Sequence, residues 1–380
     1  MTLLAESKVE LHLVYGRFLA SAGRHSNALV HLKKCADHPN PKCRQEALYN
    51  LSLSLYKLKR YSEAELYARE FLTETRDPDL LSNLASILVA QRKFSEAADL
   101  CLEALDRSEN ACIAAGMNLF TALRADNRLD EAIERTWRLL NTEPVSVLVD
   151  SSHEIPDSCV VCCVKWGTKY SADYVNRLFS SVQRNWKPGN FPRFICFTDN
   201  AEGVEDRWEV RKLPEIDFKF FWGKAFVFSE EAGLDGNRVI FLDLDTVILG
   251  DVSCYLKFPG DTLGVLSAQG LYNEQGLKSA EAVNTSLMVW SACPSFRPIF
   301  EAATEYIKKR VHRFDHWTEM VAGRCTLGAQ KLWPGSIVDY NIWKSQGSSL
   351  SQESILLVFP GDTKPHHVLP DCQVVRDAWL

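Results

Sequence analysis

Apolar residues in the first part of the chain recur with the spacing of an α-helix. One run places Leu48, Leu51 and Leu55 on a common helical face, and a second run follows with Ala64 and Ala68. The same succession of two runs appears again further along. The pattern therefore predicts pairs of amphipathic helices connected by short turns.

The helix pairs repeat at a regular distance. Ala28, Ala64, Ala97 and Ala132 are separated by 36, 33 and 35 residues, which brackets the tetratricopeptide period. Each alanine follows an apolar or ring-bearing residue by three positions, namely His25, Tyr61, Phe94 and Leu129. Residues 8–141 resemble the tetratricopeptide family, and an irregular helical bundle with accidental spacing is the alternative. The resemblance implies a concave surface that holds a peptide or another partner.

The pattern changes after residue 145. Residues 146–157, which include Ser151, Ser152, Pro156 and Asp157, predict a linker. From 158 to 380, short β-branched or aromatic runs are separated by helical stretches. These runs lie at 160–164, 193–198, 208–213 and 239–242. The alternation predicts an α/β domain with a mostly parallel central sheet, behind a helical-repeat domain at 1–145.

Composition narrows the class of protein. A chain of 380 residues with 46% apolar content can bury the cores of two domains. Its formal net charge of −6 argues against nucleic acid or an anionic membrane as the main partner. The N-terminus lacks the apolar core of a signal peptide, and no run of about twenty uncharged apolar residues suggests a transmembrane segment.

The twelve cysteines do not resemble a disulfide framework. They are spread along the chain, and several lie within apolar runs such as 159–163. Free cysteine is often a small buried hydrophobe, whereas a zinc site would need a second Cys or His pair at ligand spacing. We expect free thiols in a reducing compartment, the cytoplasm.

Two aspartates follow the buried run at 239–242. Asp243 and Asp245 are two residues apart, so an extended backbone points both carboxylates to one side. Two close negative charges in a cleft need a cation, and Mn²⁺ or Mg²⁺ with positions open to phosphate fits. The alternatives are a solvated surface turn and a haloacid-dehalogenase phosphatase. The phosphatase signature has one residue between its second Asp and the following Thr, whereas here Thr246 follows Asp245 directly.

Other segments extend this motif in a familiar order. Lys224 precedes the aspartates within Phe-Trp-Gly-Lys, residues 283–290 follow as Val-Asn-Thr-Ser-Leu-Met-Val-Trp, and 361–365 read Gly-Asp-Thr-Lys-Pro. With them, residues 158–368 resemble glycosyltransferases of the GT-A fold, a Rossmann-like α/β fold, and above all the glycogenin-like family-eight enzymes. The resemblance implies metal-dependent, retaining transfer of a sugar from a UDP-sugar to a hydroxyl acceptor.

The resemblance assigns roles around the aspartates. Asp243 and Asp245 correspond to the ligands of the divalent cation, and Asp243 with the intervening Leu244 corresponds to donor-binding positions. Lys224 corresponds to a lysine that reaches the donor. Lys364 corresponds to the lysine of a Gly-x-x-Lys-Pro loop that binds the departing diphosphate.

Further positions concern the donor base and sugar. Thr168 and Tyr170, at the end of the first strand, correspond to the nucleotide-base region, and Asp199 lies in the next loop. Asn284 and Ser286 correspond to the segment that lines the donor sugar and the acceptor. Ser286 stands where the family usually has Gly.

Two positions depart from the family pattern. Val358 stands where glycogenin-like enzymes have a third metal ligand, a His, so His366 is the candidate on imidazole chemistry. Ala329 stands where the family has the Asp of an Asp-Gln pair, which leaves Gln330 and Asn284 as candidate catalytic residues. Asp339 is the candidate for the missing acid.

Two functions from different classes follow. The first is a glycosyltransferase that takes a nucleotide-sugar donor and a protein or glycan acceptor held by the repeats. The second is a repeat-based adaptor whose other domain binds a nucleotide sugar without turnover, which the departures at Val358 and Ala329 favour.

Overall fold

The computed structural model describes residues 2–214, 220–271, 282–347 and 349–380. The chain divides into two units, Met1–Asn141 and Thr142–Leu380. Within the described residues, no helix combines the length and apolar character that crossing a membrane requires.

The first unit is built from successive helices. Their bounds are α1 Thr2–Ser21, α2 His25–Leu32, α3 Pro41–Lys57, α4 Tyr61–Leu72, α5 Pro78–Ala90, α6 Phe94–Arg107, α7 Ile113–Ala125 and α8 Leu129–Leu140, with a 3₁₀ turn at Lys33–Cys35 after α2. They pack as the consecutive pairs α1–α2, α3–α4, α5–α6 and α7–α8. Two helices begin after an N-cap whose side chain accepts backbone N–H groups, Asn40 before α3 and Asp77 before α5. Proline follows each of these caps at the first helical position.

The repeating alanines occupy one structural position. Ala28, Ala64, Ala97 and Ala132 all lie in the first turn of the second helix of a pair, and all are fully buried. A methyl side chain there allows the paired helices to approach closely. The predicted helix pairs are confirmed, and each alanine is buried in the second helix of its pair.

A left-handed residue ends the first helix of each pair. Gly23, Lys59, Arg92 and Asn127 have φ of 74°, 61°, 62° and 65°, and they show the same spacing as the alanines. In each case the next backbone N–H donates to a carbonyl five residues earlier, as from Arg60. Of these four positions, only the first is the glycine that this conformation favours.

Glu65 on α4 links consecutive pairs. Its carboxylate accepts from Lys93 Nζ at 2.7 Å, Arg69 Nε at 2.8 Å and Gln91 Nε2 at 2.8 Å. Burial alone would raise the pKa of Glu65, but the hydrogen bonds from Lys93, Arg69 and Gln91 lower it to about 2. The carboxylate therefore stays ionised down to acid pH.

The second unit contains a seven-stranded sheet and a small three-stranded sheet. The strands are β1 Cys159–Lys165, β2 Arg193–Thr198, β3 Glu209–Lys212, β4 Arg238–Leu242, β5 Val247–Ile248, β6 Leu263–Ser267, β7 Val283–Ser291, β8 Thr326–Gly328, β9 Ile337–Asp339 and β10 Leu356–Val358. The orders are β3-β2-β1-β4-β7-β6-β8 and β5-β10-β9. In the larger sheet β7 is antiparallel to β4 and β6, and the other neighbours are parallel. The predicted mixed α/β unit is confirmed.

Helices flank and connect these strands. They are α9 Ala172–Asn185, α10 Pro298–Glu301, α11 Glu305–Lys308, α12 Phe314–Ala322, α13 Ala329–Leu332, α14 Tyr340–Gln346, α15 Pro365–Val368 and α16 Gln373–Trp379. Stretches of 3₁₀ helix lie at Phe220–Phe228, Val252–Lys257, Pro294–Phe296 and Gly323–Cys325. The apolar face of α9, with Val175, Leu178 and Val182, is fully buried in the core that it shares with β1.

The segment 146–157, predicted as a linker, lies within the second unit. Val147 is buried there, and its N–H donates to Val321 O at 2.7 Å. The backbone oxygen of His153 lies so close to Gly260 that a Cβ on that glycine would be 2.1 Å away. The segment is therefore packed against the α/β unit at both of these points.

The sheet topology indicates at which end of the strands a ligand site is expected. The chain runs from β1 outward through β2 and β3, and then returns to place β4 on the other side of β1. In open α/β sheets, ligands bind beyond the carboxyl ends of the strands where the order reverses in this way. That position lies after Lys165 and Leu242, the last residues of β1 and β4.

All twelve cysteines lie within the described ranges, and all are free thiols. Eight of them are buried, including Cys162 and Cys163 on β1 and Cys196 on β2. Burial raises the pKa of Cys101 to about 12. The Cys101 thiol is therefore protonated and unreactive while the surrounding core is closed.

Candidate functional site

A cavity of about 650 Å³ lies at the carboxyl ends of β1 and β4. Its walls come from the loops after β1 and β4, the first residues of β7 and the loop after β10. The lining residues are Val164, Trp166, Gly167, Thr168, Lys169, Tyr170, Gly223, Lys224, Asp243, Leu244, Asp245, Thr246, Leu271, Asn284, Ser286, Val358, Phe359, Pro360, Gly361 and Lys364. Its size lies within the range of small-molecule sites.

Asp243 is paired with Lys224. Lys224 Nζ lies 2.7 Å from Asp243 Oδ2, with the two side chains 17% and 21% exposed. The ammonium also donates to Thr285, whose hydroxyl is held by Asp315 at 2.6 Å. Burial raises the pKa of Asp243, and the positive charge of Lys224 opposes this rise. Lys224 thus favours the charged form of a carboxylate that burial disfavours.

Asp245 is paired with a second lysine from the far end of the unit. Lys364 Nζ lies 2.6 Å from Asp245 Oδ2 and also donates to Phe359 O at 3.0 Å. Tyr170 donates its hydroxyl to the same carboxylate oxygen at 2.8 Å. Burial and the negative charge of Asp245 raise the pKa of Tyr170, so the phenol remains a neutral donor.

The cavity therefore contains two carboxylates and two ammonium groups in direct pairs. Two close aspartates need positive charge nearby, and the ammonium groups of Lys224 and Lys364 supply it in this structure. Across the described ranges, no three His, Cys, Asp or Glu side chains come together as a metal site. Mg²⁺ is commonly held by one or two carboxylates plus substrate phosphates. Asp243 and Asp245 fit a divalent cation that arrives together with phosphate oxygens.

Asn284 and Ser286 line the cavity at the start of β7, next to the end of β4. Asn284 Oδ1 accepts from Ser286 N at 3.0 Å, and Ser286 O accepts from Asp243 N at 2.9 Å. These bonds fix the β7 segment against the end of β4. Leu244, between the aspartates, is buried and also lines the cavity.

The loop after β1 also lines the cavity. Thr168 and Tyr170 line the cavity, whereas Asp199 does not and accepts from Gly167 N at 3.0 Å. Gly167 has φ of 65°, so Asp199 braces a tight turn beneath the loop. Trp166 is a half-buried lining residue that we did not predict. Its aromatic ring directly beyond a buried strand was the available signal.

His366 is not placed with the aspartates. It is exposed, does not line the cavity, and its Nδ1 is hydrogen-bonded to the hydroxyl of Tyr174. Val358 does line the cavity, but an alkyl side chain offers a cation no donor. The structure therefore directs the imidazole to α9 and does not bring it to the aspartates, and the role of His366 as a metal ligand stays a prediction.

Two predicted catalytic residues have backbone partners instead. The amide of Gln330 donates to Ser267 O at 2.9 Å and accepts from Ser267 N at 2.8 Å, which extends the edge of β6. Asp339 is buried and caps α14 by accepting from Asn341 N at 2.8 Å. Neither lines the cavity, and Ala329 is fully buried. The structure therefore does not bring Gln330 or Asp339 to the candidate site.

Comparison with known families identifies the first unit. A family model for the tetratricopeptide repeat matches residues 79–112, which contain α6 and almost all of α5. The first unit contains tetratricopeptide repeats. The sequence matches no curated protein.

Solved structures give distant likenesses. MamA from Desulfovibrio magneticus is 19% identical over 35% of this chain and 75% of its own, with a TM-score of 0.31. YrrB, described as a tetratricopeptide protein with an unusual peptide-binding site, is 20% identical over 34% of this chain and 64% of its own, with a TM-score of 0.30. A mutant O-GlcNAc transferase of Thermobaculum terrenum is 13% identical over 60% of this chain and 45% of its own, with a TM-score of 0.33. Scores this low carry no conclusion about activity.

Proposed function

We propose that the second unit is a GT-A glycosyltransferase domain that transfers a sugar from a UDP-sugar to a hydroxyl acceptor with Mn²⁺ or Mg²⁺. The observation that carries the proposal is the pair of lysine–aspartate contacts in the cavity at the sheet's switch point. A nucleoside diphosphate sugar needs positive groups for its phosphates and carboxylates for the accompanying cation. Lys224, Lys364, Asp243 and Asp245 provide both within one cavity.

The charge of the cavity supports this ligand. Asp243 and Asp245 offset Lys224 and Lys364, and Lys169, which also lines the cavity, leaves the lining with a formal charge of +1. A surplus positive charge favours an anionic ligand such as a diphosphate. A divalent cation neutralises a diphosphate diester, with Asp243 and Asp245 available for the cation and the lysines for phosphate oxygens.

The protein residues have distinct parts in the proposed reaction. Lys364 holds the departing diphosphate, and Tyr170 fixes the Asp245 carboxylate through its hydroxyl. Asn284 and Ser286 form the wall on the sugar and acceptor side. Mn²⁺ or Mg²⁺, when bound, acts as a Lewis acid that stabilises the charge on the leaving group.

The repeats are proposed to hold the acceptor, a protein or a protein-bound glycan. Tetratricopeptide arrays present concave surfaces to peptides. The proposed donor and acceptor functions thus fall on separate units of the chain.

The test combines binding and turnover. Purified protein with Mn²⁺ is titrated with a panel of nucleotide sugars and assayed for release of the nucleoside diphosphate. Asp243→Asn is expected to abolish the Mn²⁺-dependent part of donor binding, whereas Asp206→Asn, at an exposed aspartate outside the cavity, is expected to leave it unchanged. Donor binding that survives Asp243→Asn would contradict the proposal.

A second function is favoured by one observation. Among the described lining residues, the carboxylates are Asp243 and Asp245, both assigned to the cation, and Ala329 provides no acid. A domain that binds a nucleotide sugar without turnover, carried on a repeat adaptor, accounts for this. Glycosylation of any native acceptor would eliminate the adaptor, and tight donor binding without any product would eliminate the transferase.

A further inference from the structure

Helix α1 has two apolar faces on opposite sides. One face packs inside the unit, where Leu13 and Leu19 are buried and a Cβ on Gly16 would lie 2.8 Å from Leu32. The other face points to solvent. It consists of four large apolar residues at helical spacing, Leu11, Val14, Tyr15 and Phe18, which are 66%, 64%, 50% and 62% exposed. We call these four residues the α1 stripe.

Such a stripe indicates an interface. Single exposed apolar residues are ordinary, but a contiguous row of them on one helical face is not. A helix that is apolar on both sides is expected to be buried on both.

The last helix of the unit, α8, has a polar exposed side instead. The exposed side of α8 carries the ion pairs Arg135–Glu131 and Arg138–Glu134. The end helices of repeat arrays need such a polar outer face for solubility. The exposed side of α8 is polar in this way, whereas the α1 stripe is apolar.

We propose that the α1 stripe binds the α1 stripe of a second copy of this chain, with the two helices antiparallel. The charges beside the stripe are complementary in that arrangement. Glu10 and Arg17 are seven residues apart, so they lie on the same flank of the helix. In an antiparallel pair related by a twofold axis, like flanks face each other, so Glu10 of each copy meets Arg17 of the other.

Both charged groups are accessible for this contact. Glu10 is exposed, and the side chain of Arg17 is 52% exposed while it pairs with Glu46 of its own chain. A guanidinium has five N–H donors and can hold a second carboxylate. Charge pairs of this kind set orientation between paired helices.

The size of the stripe sets the expected strength. At roughly 100 Å² for each half-exposed side chain, the stripe offers about 400 Å² per copy. A standard interface buries about 800 Å² per partner. We therefore expect a reversible dimer whose population depends on concentration in the micromolar range.

The experiment is sedimentation equilibrium of the full chain from about 1 to 100 µM. The mass is expected to rise from 43.0 kDa toward twice that value. Phe18→Glu should keep the chain monomeric throughout, because it buries a charge within the contact between the two stripes. Leu66→Glu, at an equally exposed apolar residue of α4, is the matched control and should dimerise like the parent.

Charge reversal tests the orientation. Glu10→Lys and Arg17→Glu should each weaken the dimer several-fold, and the double variant should recover much of the loss. Circular dichroism of each variant verifies that the helices remain folded. A parent that stays monomeric at all concentrations would overturn the proposal, as would a dimer that persists in Phe18→Glu or a double variant weaker than both single ones.

Discussion

Replacing Lys364 by Met should change the affinity for metal and the affinity for nucleotide in opposite directions. In the parent, Lys364 Nζ lies 2.6 Å from Asp245 Oδ2, and these side chains are only 11% and 16% exposed. Mn²⁺ added alone must displace this ammonium before it can reach the carboxylate. Lys364→Met removes the competitor and keeps most of the side-chain volume.

The magnitude follows from the contact that is removed. A hydrogen bond between charged groups contributes about 1.5–3 kcal/mol, which is roughly 10- to 150-fold in an equilibrium constant. Mn²⁺ without nucleotide should therefore bind Lys364→Met more tightly by a factor in that range. UDP in the presence of Mn²⁺ should bind more weakly by a similar factor, because the diphosphate loses its lysine.

Isothermal titration measures both affinities on the same protein. Lys169→Met is the matched control, because Lys169 also lines the cavity but lies 5.0 Å from the centre of the Tyr170 ring instead of on a carboxylate. The control should leave the affinity for Mn²⁺ alone nearly unchanged. Equal or weaker Mn²⁺ binding by Lys364→Met would refute the idea that the lysine and the cation compete for Asp245.

Three further predictions concern stability and are measured by chemical denaturation. Lys59→Gly should stabilise the chain by about 0.5–1 kcal/mol by relieving a left-handed φ, whereas Asn127→Gly should gain less because Asn tolerates this conformation. Ala97→Leu should lower the free energy of unfolding by about 1–3 kcal/mol, because the packed helices leave no space for the larger side chain. Glu65→Gln should cost about 1–3 kcal/mol at neutral pH. The pKa of Glu65 is about 2 when folded against 4.5 ordinarily, so this difference should persist above about pH 5 and vanish as pH falls toward 2; a pH-independent difference would contradict it.

Much of the repeat unit follows from the sequence, because burial of Ala64 and its equivalents imposes both a period and a small residue. The left-handed turns could not be read in the same way. Lys59 and Arg92 carry none of the usual signals for positive φ, and only hydrogen bonding after the helix determines their conformation.

The four runs recognised in the sequence became β1 to β4, whereas the later strands were missed, including the nine-residue and mostly buried β7. The runs that became β1, β2 and β4 are continuous apolar segments, and their carboxyl ends located Asp243 and Asp245. The small sheet β5-β10-β9 escaped prediction, because strands of two or three residues are too short to show a period.

The partners of the site residues could not be derived from spacing. Lys224 and Lys364 are 19 and 119 residues from the aspartates that they contact. The backbone partners of Gln330 and Asp339 could not be derived for a related reason. Their polar groups are used by nearby backbone, as a strand-edge pair and a helix cap, and a sequence does not show which polar groups the backbone uses.

The buried thiols make each unit report on its own opening. Of the eight buried cysteines, those at positions 35, 43, 101 and 112 belong to the first unit, and those at 162, 163, 196 and 372 belong to the second. Because a core thiol reacts with an alkylating reagent only when its surroundings open, the rate of labelling at each position measures the free energy of that opening. Mass spectrometry of partly alkylated protein would thus show which half of the chain unfolds first, without any engineered probe.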